Sequence, residues 1–293
     1  MKDLHEDKSI KPLLVFSNEV IRHHAKSFSF AARFLPKKKR CASAAVYSFC
    51  RHADNIVDKK RERTAGQIAA ELECLRRELV LAYRTGESEH PSIGAFIRTA
   101  MNYEIPQKYP LELLKGVESD LNKETFSNFD GLYLYCYRVA SCVGLMMTHI
   151  LGFSDKSALE YAEKLGAAMQ LTNILRDITE DAADGRIYLP EDEMKRFGIS
   201  KDDIFKQKFT ADFYDFMVFQ AERAAKYYEE SLPGIKLLDK DSRFAIFAAA
   251  KIYGRILKKI EQQNYNPFTG RAFVPKSEKI KIVFAEYFKT KFA

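Results

Sequence analysis

Apolar residues recur at three- and four-residue intervals along almost the whole chain. That period is helical, and it is clear over 63–85, 94–103, 129–152, 156–180, 211–231 and 241–263. Sustained strand-like alternation is hard to find. Glycine and proline gather at the breaks: Pro36, Gly86, Pro91, 106–110, Gly152, 185–190, Pro233–Gly234 and 267–270. Some breaks carry helix-start chemistry, with Ser154–Asp155 ahead of 156–180 and 239–242 ahead of the helix through Tyr253. No internal repeat or low-complexity linker interrupts the pattern. It predicts an all-α single domain over 1–293, with 1–20 a peripheral N-terminal segment.

Segment 129–152 is hydrophobic almost all round, which predicts a central, buried helix. It also carries Ala140, Ser141 and Gly144. Small residues there mean close helix packing or the wall of a deep apolar cavity. No run of eighteen apolar residues predicts a membrane span. The charged N-terminus has no secretory signal, so a cytoplasmic location is expected. Cys41, Cys50, Cys74, Cys136 and Cys142 are scattered without a CxxC pair, against zinc and against a disulfide framework. A net charge of +7 suits anionic partners of several kinds. Its densest run, Lys37–Arg40, reads as a solvated helix start. No zinc-finger spacing, RNA-binding aromatic signature or basic tail accompanies it, so no nucleic acid is expected.

Two helices carry acids on an apolar background. In 165–181, Gln170, Asn173, Asp177 and Asp181 step by three, four and four, one face of a helix, with Glu180 beside them. In 47–58, Tyr47, Arg51, Asp54 and Asp58 repeat the arrangement. A buried unpaired carboxylate is costly and adjacent ones repel, so a cation must compensate. Carboxylate oxygens are hard donors suited to Mg²⁺, which keeps other sites for water and phosphate. One such pair is usually solvated surface acid. Two pairs, each with aligned Tyr/Arg or Gln/Asn, point to a metal clamp around a diphosphate.

At these residues the chain resembles the squalene/phytoene synthase family, the head-to-head trans-prenyl transferases. It looks most like the bacterial phytoene and dehydrosqualene synthases. The likeness runs through HAKSFSF at 24–30, YSFCRHADNIVD at 47–58, YCYRVA at 135–140 with Gly144, and QLTNILRD at 170–177. Glu180–Asp181, RIYLP at 186–190, Tyr253 and Arg271 complete it. One departure is Asn55, where many relatives have a second aspartate in the first motif.

The resemblance implies an isoprenoid-synthase-type helical bundle around a central apolar cavity. It implies Mg²⁺, or Mn²⁺ in its place, on Asp54, Asp58, Asn173, Asp177, Glu180 and Asp181. Asp54, Asp58, Asp177, Asp181, Tyr47, Arg51 and Tyr253 fall at catalytic positions. Lys26, Ser27, Phe28, Arg51, Tyr135, Val139, Gly144, Gly166, Gln170, Asn173, Arg176, Tyr188 and Arg271 fall where substrate binds. Prenyl diphosphates are the implied substrates, and phytoene, a carotenoid precursor, the implied product without NADPH. Small residues Ala31, Ala32, Ala42, Ala44 and Ala45 would leave room for a twenty-carbon tail. The alternative is a squalene or dehydrosqualene synthase using farnesyl diphosphate. From a different class come a non-catalytic assembly factor and a lipid-binding protein of the same fold. Greasy substrates also suggest peripheral contact with the inner membrane surface, through Lys37–Arg40 or the basic-apolar stretch 279–293.

Overall fold

The computed structural model describes residues 30–58 and 63–292, with side chains to 286. Lys26, Ser27, Phe28 and the 1–20 segment lie outside the described residues. Twelve α-helices are described, with Phe129–Leu151 taken as one, beside short 3-10 helices at Leu232–Leu237 and Pro267–Thr269. They are α1 (Lys37–Asp58), α2 (Ala65–Thr85), α3 (Pro91–Asn102), α4 (Lys108–Asn122), α5 (Phe129–Leu151) and α6 (Ala158–Arg176). Then follow α7 (Ile178–Ala183), α8 (Glu191–Arg196), α9 (Lys201–Phe205), α10 (Ala211–Ser231), α11 (Lys240–Gln262) and α12 (Lys276–Phe292). The β pairing among the described residues is one bridge, Phe153 to Leu238. The all-α bundle expected from the sequence is what forms.

Local chemistry sets the helix limits. Thr64 and Gln67 make a reciprocal capping box at the start of α2, and Gly86 ends it in the left-handed conformation. Asn128 caps α5 by accepting from the Gly131 N–H at 3.0 Å. Helix α4, in the proline-bearing 106–110 region, is absent from the sequence expectation. Pro110 sits within its first turn, where proline's missing N–H costs nothing.

Apolar side chains form two main cores. One joins α1 to α4 with the C-terminal half of α5. The other joins the N-terminal half of α5 with α6 and α10, the C-terminal part of α11, and the 187–204 region. Helix α5 is therefore central, as its all-round hydrophobicity predicts. By length and composition alone it would cross a membrane, contrary to the sequence expectation. Its 18-residue apolar window is 56% buried inside the protein, and it packs against α1, α4 and α6.

In the middle of α5, residues Tyr137–Ser141 form a π-helical turn. The turn pushes backbone outward, and α6 meets it with a glycine. A Cβ on Gly166 would lie 2.5 Å from the Ser141 Cα. Gly144 does the same one turn on, with Ala162 O at 3.0 Å from an added Cβ. Both glycines thus serve close helix packing, one of the two meanings the sequence left open.

Two expectations are corrected here. The predicted helix 156–180 is two helices. Asp177, at φ −107° and ψ 13°, ends α6 and begins α7. Lys39 is not solvated. Its side chain is 13% exposed. Its Nζ donates to Leu151 O at 2.7 Å, Asp239 Oδ2 at 3.0 Å, Asp241 Oδ1 at 2.6 Å and Ser242 Oγ at 3.0 Å. The α5 C-terminus and the α11 N-terminus supply these oxygens, so the lysine is drawn inward as their tie.

Candidate active site

Helix α1 carries Tyr47, Arg51, Asp54 and Asp58 along one face, as its spacing predicts. Arg51 Nη1 lies 4.0 Å from Asp54 Oδ2 and 3.9 Å from Asp58 Oδ2. These contacts are loose, and the Arg51 Nε is buried without a partner among the described residues. Asp54 is ringed by protein, yet its side chain keeps 42% of its surface accessible, as a wall residue of a hollow would. Burial first, then the like charges of Asp58 and Asp120, pushes its carboxyl up to about 7 against the pull of Arg51. Burial also raises the neighbouring Tyr47 hydroxyl to about 12.

The second acid group straddles the α6–α7 break. Asp177 is held by two guanidiniums at once. Arg176 donates from Nε at 2.7 Å and Nη2 at 2.5 Å, and Arg271 from Nε at 2.7 Å and Nη2 at 3.0 Å. Burial alone would raise this carboxyl, but the two arginines more than offset it and hold it below the usual range. Asp181, one turn on, has no such clamp. Burial, then Asp177, lifts it to about 7, with Arg186 opposing and Asp120 and Glu180 adding. Glu180 is exposed, its nearest cation Arg271 at 3.9 Å.

Two residues outside the predicted set join these groups. Asp120 of α4 feels both Asp58 and Arg186, and it acts in turn on Asp54 and Asp181. Its Oδ1 accepts from the Tyr135 hydroxyl at 2.9 Å and the Tyr188 hydroxyl at 2.8 Å. Burial raises the Asp120 carboxyl, and the two phenols restrain the rise. Arg186, read from the sequence only as part of RIYLP, puts Nη1 3.5 Å from Asp58 Oδ1. A signal for Asp120 was present. It stands where the apolar steps Leu113 and Val117 call for another apolar residue.

The other predicted residues divide. Tyr253 senses Arg176, Asp177 and Arg271, and Tyr47 senses Tyr253, so these two phenols join the site. Gln170 and Asn173 lie half-buried on α6, with Asn173 Nδ2 3.4 Å from Gln170 Oε1. Val139 lies in the π turn against α4, where an added Cβ on Gly116 would come within 2.6 Å of it. Gly144 and Gly166 meet neighbouring backbone. A cavity of about 410 Å³ opens beside Phe129, Phe219, Arg223 and Tyr227, but none of the predicted residues lines it. The five alanines expected to leave room for a long tail are buried among neighbours, Ala44 and Ala45 with no exposed surface. The chain-length argument therefore does not stand on them.

Among the described residues, no three acidic, histidine or cysteine side chains converge closely enough to hold a metal as they stand. The donor chemistry nevertheless fits a hard divalent cation. Asn173 Oδ1 is buried without a partner among the described residues, and the pull of Arg51 on Asp54 and of Arg186 on Asp181 is too weak to offset burial and like charge at either carboxyl. Asn55, the departure in the first motif, also has a buried, unpartnered Oδ1.

Comparison with known proteins identifies the family of the chain. A profile described as squalene/phytoene synthase matches residues 21–278. Phytoene synthase 1 of Solanum lycopersicum, a chloroplast protein, is 38% identical over 268 residues, covering 89% of this chain and 64% of that protein. The chain thus spans about two thirds of that relative's length. The 15-cis-phytoene synthase of Synechococcus elongatus is 35% identical, covering 89% of this chain and 88% of that protein. A ligand-bound dehydrosqualene synthase structure superposes with a TM-score of 0.89 at 30% identity, covering 97% of this chain and 99% of that one. A squalene synthase from Alicyclobacillus acidocaldarius gives 0.82 at 26% identity, covering 89% and 97%. The plant enzymes stand above the dehydrosqualene synthase in identity, so likeness to a bacterial subtype in particular is not established. With a profile match over most of its length, the chain belongs to the squalene/phytoene synthase family, the head-to-head prenyl transferases.

Proposed function

We propose that this chain joins two geranylgeranyl diphosphates head to head, through a cyclopropylcarbinyl diphosphate, to give phytoene. The observation that carries the reading is the arrangement of two acid pairs, on α1 and α6–α7, each with its own arginines and with Arg186 acting on both. Likeness to phytoene synthases from tomato and Synechococcus supports the product. Asp54, Asp58, Asn173, Asp177 and Asp181, with Glu180 at the rim, would hold Mg²⁺ or Mn²⁺. The bound metal supplies Lewis-acid activation of the leaving diphosphate. Arg51 and Arg186, loosely paired as they are, keep donors free for phosphate oxygens. Arg176 and Arg271 orient Asp177, and each has further N–H donors to offer an anion beside it. Tyr47 and Tyr253 present aromatic surface next to the acids, suited to a carbocation and to keeping water away from it. The hollow that receives the prenyl tails would open along the half-buried inner positions of α5, α6 and α11. NADPH has no part in this reading, because proton loss ends the sequence.

A thirty-carbon product is the second reading. Its support is the superposition on a dehydrosqualene synthase. Incubation with geranylgeranyl or farnesyl diphosphate and Mg²⁺, without NADPH, separates the two. A forty-carbon hydrocarbon as main product is expected, and a thirty-carbon one overturns that choice. An Asp54→Ala/Asp177→Ala variant should lose turnover. A non-catalytic assembly factor or lipid-binding protein would show no turnover to lose. For peripheral membrane contact, Ile280 and Phe284 of α12 are exposed, four residues apart, and Phe273 ahead of the helix is 69% exposed.

A further inference from the structure

Three segments meet at one oxygen atom, Asp120 Oδ1. Asp120 comes from α4, Tyr135 from α5, and Tyr188 from the 184–190 loop that follows α7. The two phenol rings stack on one another, centroids 5.0 Å apart at 23°, and Phe126 packs against both, 5.3 Å from Tyr135 and 6.3 Å from Tyr188. The ends of the loop are tied separately. Lys123 Nζ donates to Asp184 O at 2.9 Å, and Glu191 N–H donates to Phe126 O at 2.9 Å. Gly185, at φ +74°, allows the turn between α7 and the loop. In the middle of the loop Leu189 is buried in the second core and Ile187 packs against it, and Tyr188 adds the side-chain hydrogen bond to α4.

Two residues before Tyr188 stands Arg186. Its backbone N–H donates to Asp181 O at 2.8 Å, and its guanidinium reaches across to Asp58. It is thereby the cation between the two acid groups. Its Nε is buried without a partner among the described residues, and its Asp58 contact is long. A guanidinium carries five N–H donors in a fixed fork, so most of this one's capacity is unspent. An anion entering between Asp58 and Asp181 would meet those donors only if the loop holds Arg186 there.

We infer that Asp120 is a positioning residue: through the Tyr188 hydroxyl it holds the 184–190 loop in place, and so sets where Arg186 stands between the two acid pairs. An acceptor at position 120 is what the arrangement needs. Asp120→Ala leaves two hydroxyls without one, whereas Asp120→Asn keeps a carbonyl oxygen. Tyr188→Phe releases the loop, and Tyr135→Phe leaves it held.

The inference rests on the proposed function for its kinetic arm alone. The other arm is trypsin cleavage after Arg186, followed by mass spectrometry in the full chain. Asp120→Ala and Tyr188→Phe should be cut about tenfold faster than the parent, as loss of one hydrogen bond to a charged group implies. Tyr135→Phe should stay near the parental rate, and Asp120→Asn should recover most of the resistance. The Asp120→Ala/Tyr188→Phe pair should be no worse than the worse single change, because both break the same link. In turnover, KM for prenyl diphosphate should rise about tenfold in Tyr188→Phe, with kcat changed less. Parental cleavage rates in Tyr188→Phe, or equal acceleration in Tyr135→Phe, overturn the inference. Should Asp120→Ala fail to fold, Tyr188→Phe alone carries the test. A parent that turns over no prenyl diphosphate would sink the proposed function, and the trypsin rates would still decide the role of Asp120.

Discussion

Asp54 and Asp181 stand on different helices under the same electrostatic condition. Each is partly enclosed by protein, each faces like charges, and each is pushed up to about 7 from the ~3.9 of a free aspartate. The linkage has a definite sign. Between those two values the folded chain holds protons that the unfolded chain has released, so stability falls as pH rises through that window. Asp177 works the other way. Its folded value is depressed, so its contribution is present above the free value and lost as acid is added. The metal-free protein should therefore melt at a lower temperature at pH 8 than at pH 5.5. Mg²⁺ with pyrophosphate should raise the melting temperature more at pH 8, where the carboxylates are ionised. Asp54→Asn should stabilise the metal-free protein at pH 8 and shrink the metal-induced shift. Calorimetry at the two pH values checks this, and a metal-free Asp54→Asn protein that melts below its parent would refute it. The i, i+4 spacing in the sequence identified these acids. It did not identify Asp120, which has no acid four residues away within its own helix, or the hold of Arg271 on Asp177 from ninety-four positions away.

Between elements, the contact that matters most to the site is the one between α5 and α6. The π turn at Tyr137–Ser141 widens α5 where α6 comes closest, and Gly166 makes the approach feasible. A methyl group at Gly166 has backbone, not a flexible side chain, in its way. Gly166→Ala should cost about 1–3 kcal/mol by overpacking. Gly144→Ala, with its nearest atom at 3.0 Å, should cost less. Gly254, inside α11 with nothing within 4 Å of an added Cβ, is the control, and alanine there should stabilise by about 0.5–1 kcal/mol. Urea denaturation of the three variants gives the order directly, and a Gly166→Ala protein as stable as its parent would remove the packing account. The long helices were legible because their apolar period runs for many turns. The break at Asp177 was not. The apolar period continues across it through Ile174 and Ile178, while the bend coincides with Arg176 and Arg271 fixing the carboxylate between them. Helix α4 was obscured by the prolines at its entrance. The two meanings of the small residues on α5 could be separated only when the distance to α6 was known.

Across the whole molecule, the candidate site lies where two apolar cores meet, and its acids come from opposite sides. Asp54 and Asp58 ride on the α1 side, and Asp177 and Asp181 on the α6 side. Their mutual distance is therefore a property of how the cores are fastened, not of any one helix. Helices α5 and α6 supply the apolar fastening. Lys39 supplies a polar tie within the first core and away from the acids, joining the start of α1 to the end of α5 and the start of α11, two helices that run on into the second core. Its ammonium is nearly enclosed, and charged or backbone oxygens take its donors. Hydrogen bonds to charged groups are worth about 1.5–3 kcal/mol each, though bonds that share one ammonium do not add. Lys39→Ala should cost about 2–3 kcal/mol in urea denaturation. Lys39→Met, which keeps an apolar stem, separates packing from charge and should recover little of the loss. Lys37→Ala, two positions earlier and exposed, should stay within about 0.5 kcal/mol of the parent. If this tie also steadies the spacing of the acids, Lys39→Ala should weaken binding of Mg²⁺ and pyrophosphate by more than Lys37→Ala does. Equal binding by the two variants would confine Lys39 to stability and leave the spacing of the acids to α5 and α6.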